Sequence, residues 1–97
     1  MASLRRLVID VLKPHDPPLD VFTEALAETK GVEGVNASLI ESDEKVANVK
    51  FTLVGEDMEF DSIEDKVEEM SGSLHSTDEV VSGEVTVDEV RTPQDKH

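Results

Sequence analysis

The sequence predicts a ferredoxin-like α+β sandwich: a four-stranded antiparallel sheet, two helices on one of its faces and, beyond them, a C-terminal β arm. The stretches at 4–13, 33–42 and 45–54 each place apolar residues at alternate positions, the period of a strand with one buried face. Two further stretches repeat apolar residues at spacings of three and four, the stripe of an amphipathic helix. The resulting order, β-α-β-β-α-β, has one compact solution, in which both crossover helices pack on the same side of a single sheet. Strands one and three are expected in the middle, running parallel, with strands two and four at the edges.

In the first strand Leu7, Ile9 and Val11 are uniformly apolar, whereas Arg6, Val8, Asp10 and Leu12 alternate with them as a mixed set. Pro14-His15-Asp16-Pro17-Pro18 breaks this strand, and Asp16 is placed to cap a helix that runs to about Thr29 with Leu19, Phe22 and Leu26 as its stripe, since a first turn tolerates prolines. Gly31 supplies its stop. The second strand points Val35, Ala37 and Leu39 inward, Ser42-Asp43-Glu44 turns the chain, and the third strand answers with Ala47, Val49, Phe51 and Leu53, which makes a hairpin. After the acidic connector Glu56-Asp57-Met58-Glu59, Phe60, Ile63, Val67 and Met70 define a second helix ending at Gly72. Ser73 to Val81 forms the fourth strand, and Val85, Val87 and Val90 mark the arm. A single domain over residues 1–90 and a flexible tail over 91–97 complete the expected organisation.

Composition restricts function. Twenty-three acidic residues against nine basic ones give a formal net charge of −14. Self-repulsion of that size weakens a compact state in dilute salt and fades as the screening length shrinks to roughly 3 Å near molar salt. A halophilic cytoplasm suits such a chain. Cysteine is absent, which excludes disulfides, thiolate metal sites and cysteine catalysis. Arg5-Arg6 does not open a twin-arginine signal, because Asp10 and Lys13 interrupt the apolar run that would have to follow. No stretch approaches the ~18 apolar residues of a membrane span, and the expected location is cytoplasmic. Nucleic acid is not an expected partner: the mixed sheet face has no aromatic side chain, and Arg5, Arg6, Lys45 and Lys50 are too few against the acidic excess. Membrane binding lacks a basic amphipathic helix.

Several phrases carry a resemblance when taken together: the run from Leu7 through Lys13-Pro14-His15-Asp16-Pro17-Pro18, Gly31-Val32-Glu33-Gly34-Val35-Asn36, Asn48-Val49-Lys50, Gly55-Glu56-Asp57, and Leu74-His75-Ser76-Thr77-Asp78-Glu79-Val80-Val81. Over residues 4–83 the chain resembles a small archaeal family of uncharacterised proteins, a domain of unknown function. The resemblance implies a ferredoxin-like fold, homo-oligomers and an archaeal source, here haloarchaeal given the acidity. It implies no activity.

The expected topology gathers Lys13, His15, Asp16, Glu56, Asp57 and His75 at one edge of the sandwich. His15, Asp16 and His75 would suit a transition metal, and Glu56 and Asp57 with Glu59 would suit calcium or magnesium. The competing reading makes Asp16 and Asp57 helix caps and His15 an ordinary turn residue, and no fixed ligand spacing supports the metal. His75 and Ser76 hold triad-type groups, but alternation sends them to opposite faces and no Gly-x-Ser-x-Gly elbow is present. The mixed face offers a different kind of site. Arg6, Val8, Asp10, Leu12, Lys50 and Thr52 share it with Ile40 and Val54, more apolar surface than a solvated face needs, with Asp10 and Lys50 placed as a cross-strand pair. A second subunit covering this patch, aided by the free sheet edge and the arm, is favoured over a small ligand. The expected function is a non-enzymatic, homo-oligomeric module that binds a ligand or a divalent metal ion in a regulatory role. The alternatives are an enzyme using His15 and His75 with neighbouring carboxylates, and a pure assembly module.

Overall fold

The computed structural model describes residues 3–84. Its elements are β1 (Leu4–Pro14), α1 (Leu19–Ala27), β2 (Val32–Ser42), β3 (Val46–Met58), α2 (Phe60–Glu69) and β4 (Ser73–Ser82), and the sheet order is β2-β3-β1-β4. The fold is therefore ferredoxin-like, an antiparallel sheet with two helices. The expected arm at Val85–Val90 and the tail at 91–97 lie outside the described residues.

One expectation about direction is corrected. β1 and β3 lie side by side in the middle but run antiparallel, with Leu7 opposite Leu53 and Val11 opposite Val49. Each helical crossover returns the chain in the direction of the strand before it, and the β2–β3 hairpin reverses it, so β1 runs parallel to β2 and opposite to β3. The start of β3 thus meets the end of β1, where Pro14 pairs with Val46, and the end of β3 meets the start of β1, where Leu4 pairs with Met58.

The helix side of the sheet holds the core. Leu7, Ile9 and Val11 from β1 and Val49, Phe51 and Leu53 from β3 are buried with Phe22 and Leu26 of α1 and Ile63 and Val67 of α2. Phe22 and Phe51 stack with ring centroids 5.4 Å apart. The strands outrun the helices: at about 3.3 Å per strand residue and 1.5 Å per helix residue, β1 is roughly 36 Å long and α1 roughly 14 Å. Leu39 faces the helix side, opposite Val49, yet is 57% exposed on the edge strand β2.

The helix ends differ from the expectation. Pro18, not Asp16, stands at the start of α1, and no side chain caps it. The Asp16–Pro17 peptide is cis. At the other end of the molecule Asp57 belongs to the last turn of β3, with φ of 57°, and does not cap α2, which starts from Glu59. α2 ends through Ser71, at φ 70°, while Gly72 stays small because a Cβ there would press on the Phe22 ring at 2.9 Å.

Candidate functional site

The alternation that buries Leu7, Ile9 and Val11 turns Arg6, Val8, Asp10 and Leu12 to the side of the sheet that neither described helix covers. Antiparallel pairing sets Arg6 opposite Val54, Val8 opposite Thr52, Asp10 opposite Lys50 and Leu12 opposite Asn48. All six residues expected on this face are thus brought together. Ile40, Val46 and Val54 are exposed, and Val8 and Leu12 half-buried.

The polar groups of the face are partnered in ways the sequence did not reveal. Asp10 accepts a hydrogen bond from its diagonal neighbour Asn48 rather than an ion pair from Lys50, which stands directly opposite. Among the described residues no ion pair joins Asp10 and Lys50. Arg6 Nε donates to Glu79 Oε1 at 2.8 Å and closes the β4 side of the face. At the hairpin end a groove of about 180 Å³ opens between Leu12, Glu41, Ser42, Asp43, Val46 and Asn48. The Asp43 carboxylate accepts the backbone N–H groups of Lys45 at 2.8 Å and Val46 at 2.9 Å. These bonds, Val46 first and Lys45 second, hold its pKa below the usual carboxylate value, with a smaller contribution from nearby His15.

The residues expected as one metal-binding edge do not assemble. His15 Nε2 donates to the Asp43 backbone carbonyl at 2.7 Å, a bond that fixes the proton on that nitrogen because a carbonyl can only accept. His15 and Asp16 therefore sit at the hairpin end. Glu56 and Asp57 lie at the opposite end of the sheet, roughly 30 Å away by strand rise, where Glu56 faces Arg5 at 3.7 Å. His75 is exposed on β4, between the partners of Val11 and Asp10 on the far side of β1, roughly 15 Å from His15 on the same rise and strand spacing. Among the described residues no group of three His, Asp or Glu could hold a metal ion. The expected gathering depended on parallel central strands, and antiparallel pairing sends the end of β3 away from the end of β1.

Lys13 occupies an unexpected place. It continues the inward alternation of β1, is 3% exposed, donates from Nζ to the Pro14 carbonyl at 2.7 Å and lies 5.8 Å from the centre of the Phe22 ring. Burial lowers its pKa, and the neighbouring charge of Asp16 partly restores it. The only sequence signal was its odd position after Val11.

The fold and the face define a class: a small α+β sandwich with one closed face and one open, mixed polar and apolar face. Comparison with known proteins goes one step further. Residues 5–96 match the family model DUF211, described as uncharacterized ArCR, and an uncharacterized protein of Methanocaldococcus jannaschii is 42% identical over 97 residues, covering 100% of both chains. The chain belongs to the DUF211 family. No helix among the described residues is long and apolar enough to cross a membrane.

Proposed function

We propose that this protein is a non-enzymatic, self-associating module of a salt-rich archaeal cytoplasm, whose working surface is the open face of its sheet. One observation carries the reading: apolar side chains of β1, β2 and β3, among them Ile40 at 53% and Val54 at 43% exposure, stand in one layer that neither described helix covers. Removing such side chains from water yields about 25 cal/mol per Å², enough for a second copy to compete with solvent. Charge opposes it. Two copies at −14 each repel, so association belongs to concentrated salt, where the Debye length falls to roughly 3 Å. A small ligand on the same face is the narrower reading, supported by the hairpin-end groove and its apolar walls, Leu12 and Val46.

Sedimentation equilibrium in dilute and in molar potassium chloride, with and without chelator, tests the reading. The expected result is a defined oligomer in molar salt, weakened about tenfold or more by Val54→Asp, which buries a charge in the interface, and unchanged by chelator. A monomer at every salt concentration would overturn it.

A further inference from the structure

The open face differs from the helix layer in charge as well as in cover. The two helices carry two acidic residues in α1 and five in α2, against the single base Lys66. On the open face Arg6 and Lys50 stand against Asp10 and Glu79, with Glu41 added at the hairpin rim. A second copy laid face to face therefore meets a nearly balanced surface, while the acidic helices of both copies point outwards on opposite sides of the pair. With the two sheets about 10 Å apart, those helix layers stand farther from each other than the ~10 Å screening length of 0.1 M salt.

The centre of the face holds two charges that do not meet within the chain. One row across the sheet reads Ser38, Lys50, Asp10 and Ser76 from β2 to β4. Asp10 accepts from Asn48 through Oδ1, and a carboxylate has a second oxygen to offer. The Lys50 ammonium is exposed and has no hydrogen bond or ion pair among the described residues. Two sheets packed as a closed pair are related by a two-fold axis lying between them. An axis across the strands at this row would set Lys50 over Lys50 and Asp10 over Asp10. An axis along the strands, between β1 and β3, sets β1 of each copy over β3 of the other, and so places Lys50 over Asp10 twice. Asp10 is one residue from Ile9, the midpoint of β1, so the row stays near the crossing point when the sheets rotate to the ~30° that packed sheets adopt. Lysine reaches roughly 6 Å from its Cα and aspartate roughly 3 Å, which with an ion-pair contact of roughly 3 Å spans the gap between sheets.

We propose that the open face docks a second copy of this chain about an axis along its central strands, with Lys50 of each copy on Asp10 of the other. The inference rests on the open face being the surface of self-association, and it adds the register and the two residues that fix it. Opposite charges at the centre of the contact select this register over the one that stacks like charges.

Two charge reversals in the full-length chain, Lys50→Glu and Asp10→Lys, test it, each alone and then mixed in equal amounts. Native mass spectrometry in molar ammonium acetate distinguishes homodimers from heterodimers by mass. Each variant alone should self-associate about tenfold or more weakly than the parent, because like charges then meet twice across the contact. The mixture should recover the parent's association as heterodimers, in which the new glutamate faces the new lysine and the remaining Asp10 faces the remaining Lys50. Within one chain each reversal only adds a like-charge neighbour, so a preference for the heterodimer reads the contact between copies. Lys50→Gln with Asp10→Asn repeats the test in a milder form that keeps an oxygen for Asn48, and its mixture should again favour the heterodimer, which alone retains an ion pair. Random mixing of both sets, in proteins that associate as tightly as the parent, would overturn the register and leave the open face as the docking surface. A parent that stays monomeric in the same salt would overturn the register and the docking surface together.

Discussion

On the helix side of the sheet Leu7, Val11, Val49, Phe51 and Leu53 have no exposure at all, while Val46 and Val54, on the opposite face of β3, remain 37% and 43% exposed. Both sets alternate with period two and both contain β-branched and aliphatic residues. The difference lies in what stands opposite. Phe22, Leu26, Ile63 and Val67 give the helix side a matched second layer, whereas the described residues put no element over the other side. A closed face is thus stabilised by its own chain. An open face keeps apolar surface that a second copy can bury.

The largest test of this contrast is truncation on the two faces. Phe51→Ala removes a fully buried ring that stacks on Phe22 and should cost about 3–5 kcal/mol, measured by urea unfolding in molar salt. Val54→Thr, three residues along β3 on the open face, should change monomer stability by less than about 0.5 kcal/mol, as exposed substitutions do. Equal losses at the two positions would mean that the open face is packed as tightly as the core, and the contrast would collapse.

The closed face was legible from local spacing. Leu7, Ile9 and Val11, Phe22 and Leu26, and Ile63 and Val67 could all be assigned because a period of 2 or 3.6 is written in adjacent residues. The membership of the open face followed by subtraction. Partners were not legible in the same way. Asp10 faced a choice between Lys50 opposite and Asn48 on the diagonal, and side-chain reach in the folded sheet decided for Asn48. The separation of His15 from Glu56 and Asp57 followed from strand direction, which the two crossovers and one hairpin determine and which single-strand patterns do not carry. Asp16 and Asp57 had cap chemistry in the right neighbourhoods, but Pro18 and Glu59 took the cap positions.

A middle-sized test sits where the closed face contains a charge. Lys13 is buried beside Phe22 with its pKa lowered by desolvation. A base with a lowered folded pKa costs the native state most where both states are protonated, and the cost is relieved as pH rises from the folded value towards the ordinary lysine value, because the unfolded chain still binds the proton. Lys13→Met keeps the stem against Phe22 and removes the buried ammonium, so it should leave stability unchanged or raise it by up to about 1 kcal/mol at neutral pH. It should also flatten the upward slope of stability at alkaline pH. Lys13→Ala, which leaves a gap beneath the ring, should instead destabilise by about 1–2 kcal/mol. Losses of similar size in the Met and Ala variants would show that the ammonium itself, through the Pro14 carbonyl and the ring, holds this corner together.

The smallest effect is expected at the hairpin turn, where residues 41–46 are all exposed. Asp43 is fully exposed, and its carboxylate is held below the usual pKa by the N–H groups of Val46 and Lys45, so a turn residue supplies local order that packing does not. The sign follows from the depressed folded value: the contribution is fully present above the unfolded carboxylate pKa, near pH 4, and is lost as pH falls through the folded one. Asp43→Asn retains an oxygen that can accept both N–H groups but loses the charge. The variant should therefore be slightly less stable than the parent near neutral pH, and the two stabilities should converge in acid, as pH falls through the depressed folded value and the parent carboxylate is protonated. A gap that persists undiminished in acid would assign the effect to geometry rather than charge. Hydrogen exchange at the Lys45 and Val46 amides separates the two, since loss of charge alone should leave both amides protected.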